Sequence, residues 1–351
     1  MPTKKSSITK QAVGIDISKD TFDVSFLVSS IDLKRHLSRG TRKFNNTAKG
    51  IVSFHDWVLK KAKNGVDLVF AMEATGVYHE HLAHFLYKND YHVSVLLPNQ
   101  VKAFARSLNQ HSKTDNIDAV VIARMAIERD LDAWQAASDM QSHLRSLTRE
   151  RQELLDQKTR LNNRLHAYQH SHQPSKSSIR RLGSQLKLIK KLIAQITAEI
   201  KLMCEEDEPL REQMAILTSI PQIGFLTAAV VLAETSMFTL FSSRSQVVKY
   251  AGMDIIERQS GTSVSGRGHL SKRGNSRLRK ALFLPSLGMI NREGVFNALY
   301  LRVFARSKCK MKALVAVQRK LLVIMFALSK SGENYNAIKH ANGVKMVGKP
   351  V

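Results

Sequence analysis

The first quarter of the chain carries short runs whose side-chain pattern is that of β-strands. Residues 12–17 form a mostly apolar run, and residues 21–28 alternate polar and apolar side chains, as a half-buried strand does. Residues 18–20 between them are typical of a tight turn, so the two runs predict a β-hairpin. A third strand is expected just before Phe44.

Helical and strand patterns then alternate up to about residue 129. Asn46 or Thr47 is a suitable N-cap for a helix that extends to about Lys63. Further strands are expected at 66–72 and 91–97, and further helices at 77–87, 100–108 and 116–129. Hairpin strands followed by alternating helices and strands predict a mixed sheet flanked by helices, as in ribonuclease H-like folds.

The middle of the chain has apolar residues at helical spacing among many charges. They fall into two sets, Leu144, Leu147, Leu154, Leu161 and Leu165, then Leu186, Ile189, Ile193, Ile196 and Ile200. The polar stretch 170–178, which contains Pro174, separates the sets, so the pattern predicts a helical hairpin or antiparallel coiled coil. Periodicity leaves two interpretations open, a surface-exposed helical pair and an oligomerisation arm.

The last third is mostly helical in pattern, with one basic loop, and the tail from 329 onward is rich in Gly and Lys. The predicted fold class is therefore α/β plus α, with a mixed-sheet domain, a coiled-coil middle and a mostly helical C-terminal domain. The predicted boundaries are 1–135 for the sheet domain, 136–208 for the arm, 209–330 for the helical domain and 331–351 for a basic tail.

The charge balance predicts a polyanionic partner. The chain has 54 Lys and Arg against 29 Asp and Glu, a formal net charge of +25. Lys and Arg that contact phosphates release counterions and so drive binding to nucleic acid. The hydrophobic share of 43% is ordinary for a protein with a buried core. The alternative to a polyanionic partner is a basic surface that only keeps the protein soluble.

Several other classes of protein fit the sequence poorly. Cys204 and Cys309 lie far apart and lack metal-ligand spacing, which argues against structural zinc and a disulfide framework. We expect the polar residues 1–10 not to act as a signal peptide, and no apolar stretch reaches membrane-spanning length. We expect no membrane partner and a cytoplasmic protein, associated with the nucleoid if bacterial.

Acidic residues stand at the ends of two predicted strands and at one helix start. Asp16 comes at the end of the first strand and Glu73 at the end of a later one, where open α/β sheets build their sites. Asp115 and Asp118 lie three residues apart at a helix start and so share a face. Each alone has a bland explanation, since Asp115 can simply cap the helix. Four acids at such points are harder to dismiss.

Phosphodiester chemistry explains why acids would gather in so basic a chain. Cutting a phosphodiester requires charge stabilisation on the attacking oxygen, the leaving oxygen and the phosphoryl group. Two Mg²⁺ ions about 3.5–4 Å apart provide it, and hard oxygen ligands hold them. Clustered carboxylates also repel one another unless cations lie between them. The acids therefore indicate a Mg²⁺ site.

Two segments of the last third carry candidate nucleic-acid contacts. Residues 220–224 resemble the turn of a helix-hairpin-helix, whose backbone amides can hold a phosphate. No acid occurs from 258 to 280, and Ser260 precedes a glycine there, which suits a tight exposed turn. A serine hydroxyl is a poor nucleophile unless a base or metal activates it. The basic and polar residues proposed to bind nucleic acid are Lys113, Arg258, Arg267, Lys272, Arg273, Asn275, Arg277 and Arg279.

The combination resembles one family. The four acids in this order, the Lys-Thr-Asp-x-x-Asp-Ala string at 113–119, and a later Ser-Gly followed by Lys-Arg-Gly-Asn-x-x-Leu-Arg are similar to the DEDD-motif insertion-sequence transposases. That family includes bridge-RNA-guided recombinases and pilin-gene invertases. The resemblance covers nearly the whole chain, as a RuvC-like domain, a coiled-coil middle and a C-terminal transposase domain.

The resemblance implies roles for single residues. Asp16, Glu73, Asp115 and Asp118 match the family's metal-binding acids, and Ser260 matches its nucleophile, which forms a covalent phosphoserine intermediate. It further implies donor and target double-stranded DNA, a structured guide RNA, and a homo-oligomer, dimer to tetramer, in which serine and acids of one site can come from different subunits. Ser263, Ser265 and Ser271 are alternative nucleophiles on sequence grounds.

Three other functions fit parts of the pattern. A RuvC-like structure-specific nuclease, in which water attacks, explains the acids but leaves the second basic domain idle. An invertase of the same family could work without an RNA guide. A non-catalytic nucleic-acid-binding protein explains the charge but gives no reason for four acids at strand ends and a helix start.

Overall fold

The computed structural model describes residues 8–30, 36–109, 115–136, 138–256, 259–260, 264–265 and 268–337. The chain divides into two compact units, Met1–Ala136 and Ala137–Val351. The first unit carries the large sheet, and the second is mostly helical.

The first unit is built on a five-stranded mixed sheet. Its strands are β1 Ile8–Ile17, β2 Thr21–Ser30, β3 Leu37–Asn45, β4 Leu68–Glu73 and β5 His92–Leu96. The spatial order is β3-β2-β1-β4-β5, with β2 antiparallel to β1 and β3, and β4 parallel to β1 and β5. The predicted hairpin and the predicted mixed sheet are both confirmed.

Helices cover both faces of this sheet. They are α1 Ala48–Leu59, α2 Glu80–Lys88, α3 Pro98–Ser107 and α4 Asp115–Glu128. One face is rich in aromatic side chains, such as Phe22 and Phe70, and packs against α1 and α2. The other face carries small residues, such as Ala12 and Ala71, and packs against α3 and α4. Small residues permit a helix to lie close to the strands.

Two predicted helix boundaries are wrong by a few residues. The side chain of Thr47 caps α1 as expected, accepting a hydrogen bond from the amide of Gly50. The helix ends at Leu59 rather than near Lys63, because residues 60–63 offer only Ala62 to the core. The helix expected from Val77 begins at Glu80, because the chain after Glu73 first turns through Gly76, whose φ is +52°.

The second unit begins with two long helices. They are α5 Asp139–Gln169 and α6 Lys176–Glu206, each of 31 residues, and they run antiparallel. Arg151 donates to the hydroxyl of Thr197 at 2.9 Å, and His143 lies 3.4 Å from Glu199, contacts that fix this direction. The predicted helical hairpin is therefore present.

The rest of the second unit is a helical bundle interrupted by short strands. Its helices are α7 Glu208–Thr218, α8 Phe225–Thr235, α9 Arg244–Tyr250, α10 Ser276–Ile290, α11 Val295–Ser307 and α12 Lys310–Ser331. The strands β6 Ile255–Ile256 and β9 His269–Leu270 pair with each other, as do β7 Gln259–Ser260 and β8 Val264–Ser265. Buried residues of α12 pack with those of α8 and α10 in the core. None of the described helices is long and apolar enough to cross a bilayer.

Candidate active site

Two of the four predicted acids are neighbours on adjacent parallel strands. Ile15 of β1 pairs with Met72 of β4, so Asp16 and Glu73 come next in the same register. Parallel strands lie about 4.8 Å apart, and residues in register point to the same face of a sheet. Both acids lie on the face that carries Ala12 and Ala71, and both are half-buried.

Helix α4 brings a third acid to the same edge. The Nζ of Lys10, near the start of β1, donates to the carbonyl oxygen of Arg129 at 3.1 Å, so the helix ends where the strand begins. The helix therefore begins where β1 ends. Asp118, in the first turn of α4, thus lies at the end of the sheet that carries Asp16 and Glu73.

Gly14 sets how closely α4 approaches the strand. A β-carbon at Gly14 would lie 2.7 Å from Cα of Ala123, and would collide with the backbone nitrogen of Ala123 and the carbonyl oxygen of Ala119. Only glycine permits helix and strand backbones to touch in this way. Because Asp118 adjoins Ala119 and Asp16 lies two residues beyond Gly14, this contact positions both acids.

The donor set suits a hard divalent cation. Carboxylate oxygens are the ligands that Mg²⁺ prefers. In the part of the chain that the structure describes, no three Asp, Glu, His or Cys side chains are grouped closely enough to hold a metal ion. The backbone of Asp115 opens α4, whereas its side chain and all of Lys113 lie outside the described residues.

A fourth acid on this face was missed by the sequence analysis. Asp23 of β2 pairs directly with Asp16 in the antiparallel register, and opposite residues of such a pair point to the same face. Its carboxylate lies 3.1 Å from the Nζ of Lys43 on β3. The signal was available, because a hairpin turn at 18–20 fixes this register.

In the second unit, the predicted serine lies on a very short hairpin. Ser260 of β7 pairs with Val264 of β8, so three residues connect the two strands. The turn expected at the Ser-Gly step falls on residues 261–263, which lie outside the described residues. The side chain of Ser260 lies outside the described part of the chain, as do residues Arg258 and Arg267.

The segment that returns from this hairpin is fixed to the chain that leads into it. The amide of Ser271 donates to the carbonyl oxygen of Asp254 at 2.9 Å, and its hydroxyl donates to the Asp254 carboxylate. The amide of Lys272 donates to the carbonyl oxygen of Gly252 at 3.1 Å. Lys272 and Arg273 are exposed beside this anchor, as a phosphate contact requires.

Three other residues predicted to bind nucleic acid make contacts inside the unit. Asn275 caps α10, because its Oδ1 accepts from the amides of Arg277 and Leu278 at 3.0 and 3.2 Å. The guanidinium of Arg279 donates to the carbonyl oxygen of Ala251 at 2.8 Å. Arg277 remains exposed, with its Nε 4.0 Å from a carboxylate oxygen of Glu234. Asn275 and Arg279 therefore shape the loop.

Glu234 of α8 is the centre of these contacts, and sequence reasoning missed it. Its side chain is 1% exposed and accepts two hydrogen bonds from Arg149 of α5, at 2.8 and 2.9 Å. Burial alone would raise the pKa of Glu234, but the hydrogen bonds from Arg149 and Asn275 and the nearby charge of Arg277 outweigh burial and hold the pKa below its ordinary value. The carboxylate is therefore ionised at neutral pH.

Fold and site together define a class. A mixed sheet with acids at one edge, joined to a mostly helical unit, is the arrangement that the sequence analysis expected for a DEDD-type transposase. The family model of DEDD transposases of the IS110 type, described as "Transposase", matches residues 13–174. The model described as "Transposase IS116/IS110/IS902 family" matches residues 214–301. The chain belongs to this family of insertion-sequence transposases.

Two relatives and one solved structure are similar to this chain. The chain is 28% identical to the pilin gene-inverting protein of Moraxella bovis, over 95% of this chain and 100% of that protein. It is 33% identical to an IS110 insertion-element protein of Streptomyces coelicolor, over 35% of this chain and 30% of that protein. A structure of T. thermophilus RuvC with a Holliday junction substrate matches at 12% identity and a TM-score of 0.26, over 36% of this chain and 99% of that chain.

Proposed function

We propose that this transposase cleaves and rejoins double-stranded DNA with two separate sets of residues. Asp16, Glu73, Asp115 and Asp118 hold Mg²⁺, and Ser260 is the nucleophile. The observation that carries the proposal is that Asp16, Glu73 and Asp118 lie at the same end of one sheet, with α4 held against β1 at Gly14. The serine role is supported by the position of the short hairpin within a segment, residues 258–280, that has several Lys and Arg and no acid.

The acids would act by binding and orientation. Bound Mg²⁺ supplies Lewis-acid stabilisation of a phosphoryl group and its leaving oxygen. Asp16 and Glu73 offer oxygens from rigid strands, and Asp118 offers its carboxylate from the first turn of α4. Ligands on strands and helices keep their geometry better than ligands on loops. The site therefore suits repeated cleavage and rejoining.

The serine step conserves the energy of the phosphodiester. The Oγ of Ser260 attacks phosphorus, a serine–phosphate bond forms, and the bond from phosphorus to one sugar oxygen breaks. The hydroxyl proton leaves Ser260, and the sugar oxygen departs as a hydroxyl. Attack by a sugar hydroxyl of another DNA end reverses the step and frees the serine. No ATP is needed, and the sequence contains no GxxxxGK[ST] loop to bind it.

The proposed partners follow from charge and family. A net charge of +25 suits donor and target DNA duplexes together with a structured guide RNA. The guide RNA and a homo-oligomer are proposed from the family resemblance, and association with the nucleoid follows from DNA as substrate. Sequencing of RNA and DNA that co-purify after gentle lysis tests these partners, and a preparation that recombines DNA without any RNA would favour an invertase.

Trapping the covalent intermediate tests the nucleophile. Labelled DNA is reacted, denatured and digested with protease, and the modified peptide is mapped by mass spectrometry. We expect the adduct at Ser260, its loss in Ser260→Ala with DNA binding retained, and its persistence in the controls Ser263→Ala and Ser265→Ala. Cleavage without any adduct, unaffected by Ser260→Ala, would instead support a nuclease in which water attacks. Such a nuclease is the second candidate function, because the four acids all lie within the first unit.

A further inference from the structure

The second unit buries one carboxylate among cations at the base of its basic loop. Glu234 has only 1% of its side chain exposed, in a unit where most acidic side chains lie at the surface. Both of its oxygens accept from the guanidinium of Arg149, and one also accepts from the side-chain amide of Asn275 at 2.7 Å. A buried charge is retained only when paired and hydrogen-bonded, as it is here.

The contacts of Glu234 join three parts of the unit that are far apart in sequence. Arg149 belongs to α5, the first arm of the helical hairpin, and Asn275 begins α10. The hydroxyl of Tyr250, the last residue of α9, donates to the backbone carbonyl oxygen of Glu234 at 3.0 Å. The amide of Asn275 in turn donates to the carbonyl oxygen of Tyr250 at 2.7 Å.

These contacts hold together the two ends of the segment 250–275, which carries Ser260 and is called the serine hairpin below. The chain leaves α9 at Tyr250 and returns at Asn275, with Ser260 between them. Gly252 and Gly274 lie against each other so closely that a β-carbon at Gly274 would collide with the amide of Gly252 and the carbonyl oxygen of Tyr250. Both strands of the loop thus pass through one tight neck.

The side-chain amide of Asn275 performs two functions that depend on its orientation. Its oxygen caps α10, and its nitrogen donates to Glu234. The carboxylate, which only accepts, therefore fixes which way the amide faces. Three N–H groups, two of Arg149 and one of Asn275, donate to the two oxygens of Glu234. A glutamine at 234 has only one oxygen, so Arg149 or Asn275 would lose a hydrogen-bond partner.

We propose that Glu234 is a positioning residue for recombination. Acting through Asn275, it holds the neck of the serine hairpin and so places Ser260, Lys272 and Arg273 relative to DNA. The role of Ser260 rests on the proposed function, whereas the clamp itself rests on the hydrogen bonds of Glu234, Tyr250 and Asn275.

Glu234→Gln is the direct test, because it removes the charge with little change in shape. We expect DNA affinity to stay within a factor of about 2, while the recombination rate at saturating DNA falls about tenfold to a hundredfold, as displacement of a reacting group by about 1 Å does. Amide hydrogen exchange in 271–279 should rise. The matched control is Glu208→Gln, which removes an exposed carboxylate paired with Arg211 in the same unit. It should change neither the recombination rate nor the hydrogen exchange of 271–279.

A second substitution separates positioning from folding. Asn275→Asp, introduced into Glu234→Gln, reverses the hydrogen bond, because the new glutamine amide donates and the new aspartate carboxylate accepts; aspartate caps a helix as well as asparagine does. Recovery of rate and protection in the double variant supports the proposal. Wild-type rate in Glu234→Gln overturns it, and so does a loss that tracks thermal unfolding and is not rescued. Ser260→Ala tests the proposed function separately. Full recombination in Ser260→Ala would refute Ser260 as the nucleophile, and the role of Glu234 in holding the loop would then be decided by the hydrogen-exchange measurement alone.

Discussion

Gly14 of β1 lies in direct backbone contact with Ala123 of α4, and this contact carries Asp118 to the edge of the sheet that holds Asp16. Because Gly14 has no side chain, the backbone of α4 lies directly against the backbone of β1. Two acids that are about a hundred residues apart in sequence thereby lie at the same end of the sheet.

Gly14→Ala should therefore disable the site by pushing α4 away. Overpacking of a core costs about 1–3 kcal/mol, and here the collision is with backbone, which cannot rotate aside. We expect a lower Tm and a loss of recombination. Gly183→Ala is the matched control: it lies within α6 with open space around it, and it should raise helix stability by up to about 1 kcal/mol. Equal activity of the two variants would contradict the role of Gly14.

Removal of an acid should abolish recombination while the protein stays folded. We expect this for Asp16→Ala and for Asp118→Ala, measured as recombined product, with an unchanged circular dichroism spectrum. Wild-type protein should be stabilised thermally by Mg²⁺, and both variants less so. Asp56→Ala is the control, because Asp56 is exposed on α1, on the opposite face of the sheet. Normal recombination in either acid variant would refute the metal assignment.

Charge reversal at the exposed part of the basic loop should weaken DNA binding in a salt-dependent way. If Lys272→Glu or Arg273→Glu removes one phosphate contact, the slope of log K against log salt should fall by about 0.9. Arg277 is left unchanged, because a carboxylate there would face Glu234. Lys60→Glu, at the end of α1, is the control for net charge. Unchanged slopes in the loop variants would mean that these residues do not contact phosphates.

Acid should destabilise the second unit through Glu234. Its pKa in the folded protein is lowered, so its contribution is fully present above the ordinary Glu value of about 4.3 and is lost as the pH falls through the folded pKa. At neutral pH, hydrogen bonds to a charged group contribute about 1.5–3 kcal/mol, and the 39% exposure of the Arg149 side chain places the effect at the low end. The difference in Tm between wild type and Glu234→Gln should shrink below about pH 4. A constant difference down to about pH 3 would argue against an ionised Glu234.

The sequence by itself determined the hairpin, the alternation that follows it, and the placement of Asp16 and Glu73 at strand ends. These features are local, because burial on one face of a strand or helix imposes its period on consecutive residues. Tertiary structure decided what depends on contacts between distant segments. Gly14 beneath α4, Asp23 opposite Asp16, and Asn275 held by Glu234 become neighbours only when the chain packs. The reason is physical: a lone Glu in an apolar helix or an Asn in a basic loop has the same local pattern whether it faces water or a buried partner, and only the packed fold supplies the partner that makes burial of its charge or amide favourable.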